Sequence, residues 1–392
     1  MSGSPPLLDR VRRRLAEDGG EATGGRVAAA VRTEAGLRGD RGLLSVLPEL
    51  QRELTGVGPL EALLADDSVC DVLVNAPDEV WVDRGRGLVP AAVRFPDEES
   101  VRRLAVRLAA AAGRRLDAAA PYVDARLPGG TRFHAVLPPI APRGTCLSLR
   151  VFRDRGFDVA ELVRRGSLTP LLAALLTAVV GARLAAVVSG GTGSGKTTLL
   201  GALLGLAPPD ERLLVVEDAG ELRVSHPHVV RLEARPANVE GAGAVTLRDL
   251  VRQALRMRPD RLVIGEVRGA EIADLLLALN TGHEGGLTTV HANGAHEVPP
   301  RVEALGALAG LDRRAVHAQL AAALHVVVHL VRDAGGLRRV VEIAVCGSGP
   351  DGLVTVSPAC RWDGPGPAAD RLAALLATRG VRPPAGLVGA VG

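Results

Sequence analysis

Apolar positions along this chain follow two rhythms, and the change between them divides it. From about residue 46 to 155, short alternating runs are punctuated by turn residues: Val69 to Val74, Val80 to Asp83, Tyr122 to Arg126, Thr131 to Leu137 and Leu147 to Phe152. Alternation of period two predicts half-buried strands. In the same stretch Val101, Leu104, Leu108 and Ala111 share one helical face, so residues 46–155 predict a small α+β domain. Beyond it most strand candidates carry adjacent apolar residues instead of strict alternation: Leu184 to Ser189, Leu213 to Glu217, Val229 to Glu233, Arg261 to Ile264 and Leu287 to Val290. Helical segments alternate with them, at Val159 to Arg164, Leu168 to Gly181, Thr197 to Leu206, Leu247 to Met257 and Ala270 to Asn280. That alternation predicts an α/β domain over 156–350, with a doubly wound, mostly parallel sheet buried on both faces. Two helices, near Pro300 to Ala309 and Asp312 to Leu324, then lead to Val326 to Arg332 and Arg338 to Val345, expected as an antiparallel hairpin. Residues 1–45 predict a loosely packed lead-in with weak helical patches at Leu7 to Ala16 and Gly25 to Leu37, and Pro- and Gly-rich residues 351–392 a loose tail.

The first strand of the second domain runs into Gly190-Gly191-Thr192-Gly193-Ser194-Gly195-Lys196-Thr197-Thr198, and a helix follows. This is the glycine, four residues, Gly-Lys-Thr pattern in its strand, loop and helix context. Glycines let successive backbone N–H groups point into one concavity, and the helix N-terminus adds partial positive charge. Lys196 is placed to reach terminal phosphates and Thr197 to hold Mg²⁺, so the loop is expected to bind a nucleoside triphosphate. Lys196 is also the only lysine of the chain, every other cationic side chain apart from histidine being arginine.

Composition narrows the classes. The 392 residues are 47% hydrophobic and 23% charged, globular proportions with room for two domains. A formal charge of +3 does not by itself imply a nucleic-acid partner. Nor is there an aromatic platform for stacking bases, since no aromatic residue stands between 158 and 361. Cys70, Cys146, Cys346 and Cys360 are far apart, with no CxxC pair, which points away from a zinc site or a disulfide framework. The first residues lack an apolar signal region, and the run from Leu171 to Ala182 is too short to span a bilayer, so a cytoplasmic protein without membrane insertion is expected.

Triphosphate cleavage needs a held phosphate chain, a group that orients or deprotonates water, and cations that meet the transferred charge. Glu266 ends an apolar strand where nucleotide-binding sheets present the acid that faces Mg²⁺ and water. Glu217 ends another, with Asp218 and Glu221 following; at least one should face the loop, and Glu221 serves equally as a surface acid. His283 and His291 straddle the strand 287–290, where a histidine can sense a γ-phosphate. His283 serves equally as a structural hydrogen-bonding residue. Arg231, Arg235, Arg256, Arg258 and Arg268 lie near element ends, each alone better suited to a solvated surface.

Taken together, GGTGSGKTTLL, EDAGEL, the run LRMRPDRLVIGEVRGAEIADLLLALNTGHEGGLTTVHAN and the upstream GVGPLEALLADDSVCDVLVN and GGTRFHAVLPPIA resemble the type II/type IV secretion ATPase superfamily, in particular its tight-adherence (Flp) pilus assembly or CpaF-like branch. The resemblance covers about residues 45–345, with the boxes in the family's order. It implies a RecA-like P-loop domain behind a smaller N-terminal domain, working as a homo-hexameric ATPase in the cytoplasm, docked peripherally on an integral membrane platform, with ATP and Mg²⁺ bound between the domains. It assigns Lys196 and Thr197 to phosphate and Mg²⁺, Glu217 and Glu221 to an acidic box, Glu266 to catalysis, and His283 and His291 to a histidine box. It also assigns Arg132 and Arg150 to the γ-phosphate, and Arg231 and Arg235 to the neighbourhood of the site. Gly265 stands where many phosphate-loop enzymes have aspartate, which implies Mg²⁺ held by Thr197 and water. A conjugation-type DNA-transfer ATPase shares nearly all these boxes, and a nucleotide-gated scaffold with little hydrolysis is a reading of another class.

Overall fold

The computed structural model describes residues 57–387 except 86, 128, 153–155, 236 and 238–241, together with 14, 29–31, 33 and 34. The expected lead-in therefore lies outside the described residues, apart from residues 14, 29–31, 33 and 34, which are helical. The chain forms two compact units, Met1–Arg153 and Asp154–Gly392.

The first unit is built on a six-stranded antiparallel sheet in the order β3-β2-β1-β6-β5-β4, with β1 at Asp71–Ala76, β2 at Glu79–Asp83, β3 at Leu88–Pro90, β4 at Tyr122–Arg126, β5 at Arg132–Val136 and β6 at Cys146–Arg150. Burial alternates along β1, β2, β5 and β6, so one face is left to solvent, as antiparallel sheets allow. The inward residues Val72, Val74, Val80, Val82, Phe133, Leu147 and Leu149 pack with Val101, Leu104 and Leu108 of the helix Glu98–Ala111. The Asp97 side chain caps that helix by accepting from the Ser100 N–H.

The second unit carries a nine-stranded sheet in the order β15-β14-β13-β12-β7-β11-β10-β8-β9. Here β7 is Ala186–Gly190, β8 Leu213–Glu217, β9 Val229–Glu233, β10 Arg261–Ile264, β11 Leu287–Val290 and β12 Val326–Arg332. From β12 through β9 all neighbours run parallel. Each continuous apolar strand feeds both layers: Val188, Val215 and Val263 face one cluster, while Val187, Val216 and Ile264 face the other. The helices Pro170–Gly181 and Lys196–Leu204 cover the first face, and Leu247–Ala254, Glu271–Leu279, Val298–Leu308 and Arg313–Ala323 cover the second. The α/β, doubly wound architecture behind a smaller α+β unit is as the sequence predicts.

The expected loose tail is corrected. After β13, Arg338–Ser348, the chain continues into β14, Val354–Arg361, a short β15, Gly364–Pro365, and the helix Ala369–Thr378, whose Leu372 and Leu376 are fully buried in the first layer. The register slips beside Pro358, Ile343 facing Cys360 and Ala344 facing Pro358, which leaves Ala359 as the extra residue of a bulge, a place where sheets accept proline. Among the described residues no helix is long and apolar enough to cross a membrane, no cluster of His, Cys, Asp or Glu could hold a metal ion by itself, and all four cysteines are free.

Candidate functional site

The parallel strands β7, β8, β10 and β11 deliver their C-terminal ends to one edge of the second unit, where open α/β sheets bind ligands. At the end of fully buried β7, Gly190 lies so close to β12 that a Cβ there would stand 2.5 Å from the Leu330 carbonyl oxygen. Gly193 and Gly195 adopt φ of +69° and +96°, conformations that glycine takes without strain. Gly195 then caps the helix Lys196–Leu204 with no side-chain hydrogen bond, so among the described residues no N-cap side chain occupies the first-turn N–H groups. A concave row of amides at a helix N-terminus is an anion cradle.

Lys196 is only 7% exposed, and its Nζ donates to the carbonyls of Gly190 at 3.0 Å and Gly191 at 2.9 Å. It also lies 3.3 Å from His291 Nδ1. Burial lowers the Lys196 pKa, and the Glu266 carboxylate opposes that shift. His291 follows β11, and its Nε2 approaches Glu266 Oε1 to 2.7 Å. Burial first, and then the Lys196 charge, lower the His291 pKa, so the ring is neutral at pH 7. A neutral ring that accepts from Lys196 at Nδ1 carries its proton on Nε2, towards Glu266. Burial alone would raise the Glu266 pKa, but the hydrogen bond and charge of Arg268, with His291 and Lys196, hold it below the usual glutamate value. Arg268 Nη2 donates to Glu266 Oε2 at 2.5 Å. The strand ends that carry these residues are stitched together: Thr288 and Thr289 donate to the Ile264 and Gly265 carbonyls, each at 2.8 Å.

Glu217, 4% exposed, ends β8. Its Oε1 accepts from the Glu221 N–H at 3.0 Å and the Leu222 N–H at 2.8 Å, and burial pushes its pKa up to about 6. A Cβ on Gly265 would lie 2.8 Å from Glu217 Cγ, so the glycine at 265 makes room for a carboxylate delivered by the neighbouring strand. Among the described residues, three buried oxygens around the loop have no hydrogen-bond partner: Ser194 Oγ, Glu217 Oε2 and Glu266 Oε1, the His291 contact lying off the hydrogen-bond line. Orphaned acceptors beside an uncapped helix N-terminus and a buried ammonium are the donor set that a triphosphate with a divalent cation requires, so these residues fit both.

The sequence-predicted residues thus fall into groups. Lys196, Glu266 and His291 meet one another. Thr197 is half-buried and Thr198 exposed on the first turn of the loop helix, and Gly191 and Thr192 are exposed in the loop. Arg231 donates to the Leu222 carbonyl at 2.7 Å, and its charge opposes the upward shift of Glu217. Glu221 contributes its backbone N–H to Glu217. Arg235 is tied instead to its own loop, donating to the Gly243 carbonyl at 2.8 Å and bridging Val245. His283 closes the end of the helix Glu271–Leu279, both its N–H and Nδ1 lying against the Ala278 carbonyl, and no hydrogen bond or ion pair among the described residues joins it to Lys196, Glu266 or His291. In the first unit Arg132 and Arg150 stand opposite one another on β5 and β6, and each is paired with an aspartate: Arg132 with Asp124 at 2.7 Å and Arg150 with Asp71 at 2.9 Å.

Three arginines beside the site were not distinguished from surface charge by the sequence. Arg268 stands two positions past Glu266, a spacing that puts both on the same side of an extended segment and was the available signal. Arg332 and Arg338, paired across the β12–β13 hairpin, border the loop, with Arg338 Nε donating to the Gly193 carbonyl at 2.8 Å. No local pattern marks them.

Residues 53–345 match the family model described as Type II/IV secretion system protein. A Mycobacterium tuberculosis protein named provisionally for conjugal transfer is 62% identical over 313 residues, 78% of this chain and 89% of that protein. The conjugal transfer protein TrbB of Rhizobium radiobacter is 32% identical over 303 residues, 76% of this chain and 90% of that protein. The crystal structure of the pilus retraction motor PilT with bound ADP aligns with a TM-score of 0.50 and 20% identity over 71% of this chain and 78% of that one, a likeness of fold. A phosphate loop, a strand-end glutamate and a strand-end histidine on this sheet, with the family match spanning most of the chain, place it in the type II/IV secretion system protein family, the secretion ATPase superfamily that its motifs resemble.

Proposed function

We propose that this chain hydrolyses ATP to power a type II/IV secretion or pilus assembly machine. The observation that supports it most directly is the run of contacts from Lys196 through His291 to Glu266 and Arg268, which puts an ionised carboxylate beside the phosphate loop with a cation on either side. Lys196 exchanges the Gly190 and Gly191 carbonyls for phosphate oxygens, and the first-turn amides of the loop helix hold the rest of the phosphate chain. The Thr197 hydroxyl, with Glu266 Oε1 and Glu217 Oε2, would hold magnesium directly or through its water. When bound, that ion offsets negative charge on the phosphates. Glu266, ionised at pH 7, orients the attacking water and takes its proton, while Arg268, hydrogen-bonded to its Oε2, keeps the carboxylate in place. Arg132 and Arg150 are proposed as further donors to the transferred phosphoryl, and Arg231 as a support of the acidic segment.

The machine is proposed to be a homo-hexamer, peripheral to the cytoplasmic membrane and attached through an integral membrane platform. The tight-adherence pilus branch is favoured by the motifs and by four cysteines too scattered for a zinc insert. A second reading, conjugal transfer, is favoured by the names of the relatives that cover most of the chain. Two measurements test these readings. Magnesium-dependent release of phosphate from ATP by the full chain, abolished in Lys196→Ala, is expected; absence of turnover in the parent would leave a nucleotide-gated scaffold. Recovery of a pilus platform protein with the detergent-solubilised complex is expected, and recovery of a conjugation channel would decide for the second reading.

A further inference from the structure

Past Glu217 the chain runs from Asp218 to Ser225 without helix or strand, yet two of its amides have a fixed task. The N–H groups of Glu221 and Leu222 both donate to Glu217 Oε1, at 3.0 and 2.8 Å. Whether they reach the carboxylate depends on where the backbone of this segment lies. Arg231 holds the Leu222 carbonyl at 2.7 Å, and the Leu222 side chain is buried in the first core layer.

The next carbonyl along is gripped more tightly. A Cβ on Gly201, inside the loop helix Lys196–Leu204, would stand 2.6 Å from the Arg223 carbonyl oxygen. A Cβ on Gly156 would stand 2.6 Å from the same oxygen. Side chains do not come so close to a backbone oxygen, so the carbonyl occupies a slot that exists because both residues are glycine. Helix formation does not favour glycine at 201, since an interior glycine costs about 1 kcal/mol relative to alanine. One turn on, Gly205 makes no such slot: a Cβ there would meet the Ser225 carbonyl oxygen at 3.4 Å, an ordinary contact. Gly156 is the third residue of the second unit and lies in no helix or strand. The loop helix, the entry of the chain into this unit and the acidic segment thus meet at one backbone oxygen, one residue past the Leu222 amide.

We infer that Gly156 and Gly201 are positioning residues for Glu217: the slot between them fixes the Arg223 backbone, and through it the two amides that orient the carboxylate for magnesium. This role rests on the magnesium site proposed above. Neither glycine touches nucleotide or metal in it, and the effect passes through the Glu221 and Leu222 N–H groups.

The test uses the full chain, first without nucleotide. Hydrogen–deuterium exchange, read by mass spectrometry on the peptide that spans Glu221 and Leu222, should be slow in the parent. Gly201→Ala should speed it about tenfold, the equivalent of one net hydrogen bond at about 1.4 kcal/mol. Gly205→Ala, which brings the same gain in helix propensity without the close approach, should exchange as the parent does. With ATP, Gly201→Ala should need about tenfold more magnesium for half-maximal turnover, while ATP affinity in EDTA changes less than about twofold. Fast exchange in the parent, unchanged exchange in Gly201→Ala, an unchanged magnesium requirement, or an equal loss of affinity in EDTA would each overturn the inference while leaving the nucleotide site standing. A parent chain that binds no nucleotide would remove the proposed site, and with it the role given to Glu217. Should Gly201→Ala not melt cooperatively, Gly156→Ala presses on the same oxygen from outside any helix or strand, with the same results expected and the same contrary results.

Discussion

The Glu217 carboxyl is held at a cost that can be measured. Its ordinary pKa of 4.5 is raised to about 6, chiefly because burial at 4% exposure disfavours the charge more than the Glu221 and Leu222 N–H groups and Arg231 favour it. For an acid whose folded pKa is raised, the folded chain holds its proton more tightly than the unfolded chain does. The stability associated with that proton is fully present below about pH 4.5 and is lost as pH rises through about 6. The displacement from 4.5 to about 6 is worth about 2 kcal/mol, all of it set against folding at pH 7.5. Glu217→Gln removes the ionisation and keeps an acceptor for the two N–H groups. Urea titrations of parent and variant across about pH 4.5 to 7.5 should therefore show the parent losing about 2 kcal/mol relative to the variant. In a domain of this size that corresponds to roughly 2–4 °C in Tm per kcal/mol. The change with pH is the readout, because the new amide N–H₂ brings a constant desolvation cost at every pH. The variant should gain stability where the enzyme works and lose magnesium-dependent turnover. A stability difference that does not change across this range would refute the assignment of Glu217 as a buried carboxylate maintained for its charge.

Glu266→Gln should bind ATP without turning it over, and since a ligand at a hundredfold excess over its dissociation constant adds about 2.7 kcal/mol, its melting temperature should rise with ATP while that of Lys196→Ala does not; turnover at the parental rate would pass the catalytic role to Glu217 or Glu221. Arg132→Ala and Arg150→Ala should each lower kcat by up to about 3 kcal/mol of transition-state stabilisation with KM little changed, and a raised KM with kcat unchanged would make them binding residues only. Gly265→Ala should lower magnesium-dependent turnover and shift the pH midpoint of the Glu217 effect, because its Cβ would meet Glu217 Cγ at 2.8 Å; parental behaviour would show that Glu217 moves aside freely.

What was legible in the chain followed from rules with short range. A continuous apolar strand, a glycine loop and a helix specify each other locally, so Lys196 and the strand-end residues Glu217, Glu266 and His291 could be placed from spacing alone. The misses share a different origin. Val354–Arg361 has strand alternation in its first half, but Pro358 and the surrounding glycines mask it, and only the bulge against β13 shows how a proline fits. Arg338 reaches the loop through the pairing of its hairpin with β7, a strand far away in sequence, and a single chain carries no mark of such a partner. His283 and Arg235 resemble site residues by neighbourhood, yet their hydrogen bonds go to the Ala278 and Gly243 carbonyls, a choice made by backbone geometry.

One consequence of the buried Lys196 concerns reagents rather than nucleotides. Because no other lysine exists in the chain, an acylating or carbamoylating compound has one side-chain amine to find, and that amine lies inside the phosphate cradle. Burial lowers its pKa, so near neutral pH more of it is the uncharged nucleophile than for a surface lysine, while 7% exposure limits the approach of bulky reagents. Small amine-directed labels should therefore inactivate in proportion to a single modification, and occupancy by nucleotide should protect that one atom, making the rate of labelling a direct gauge of how often the cradle is empty.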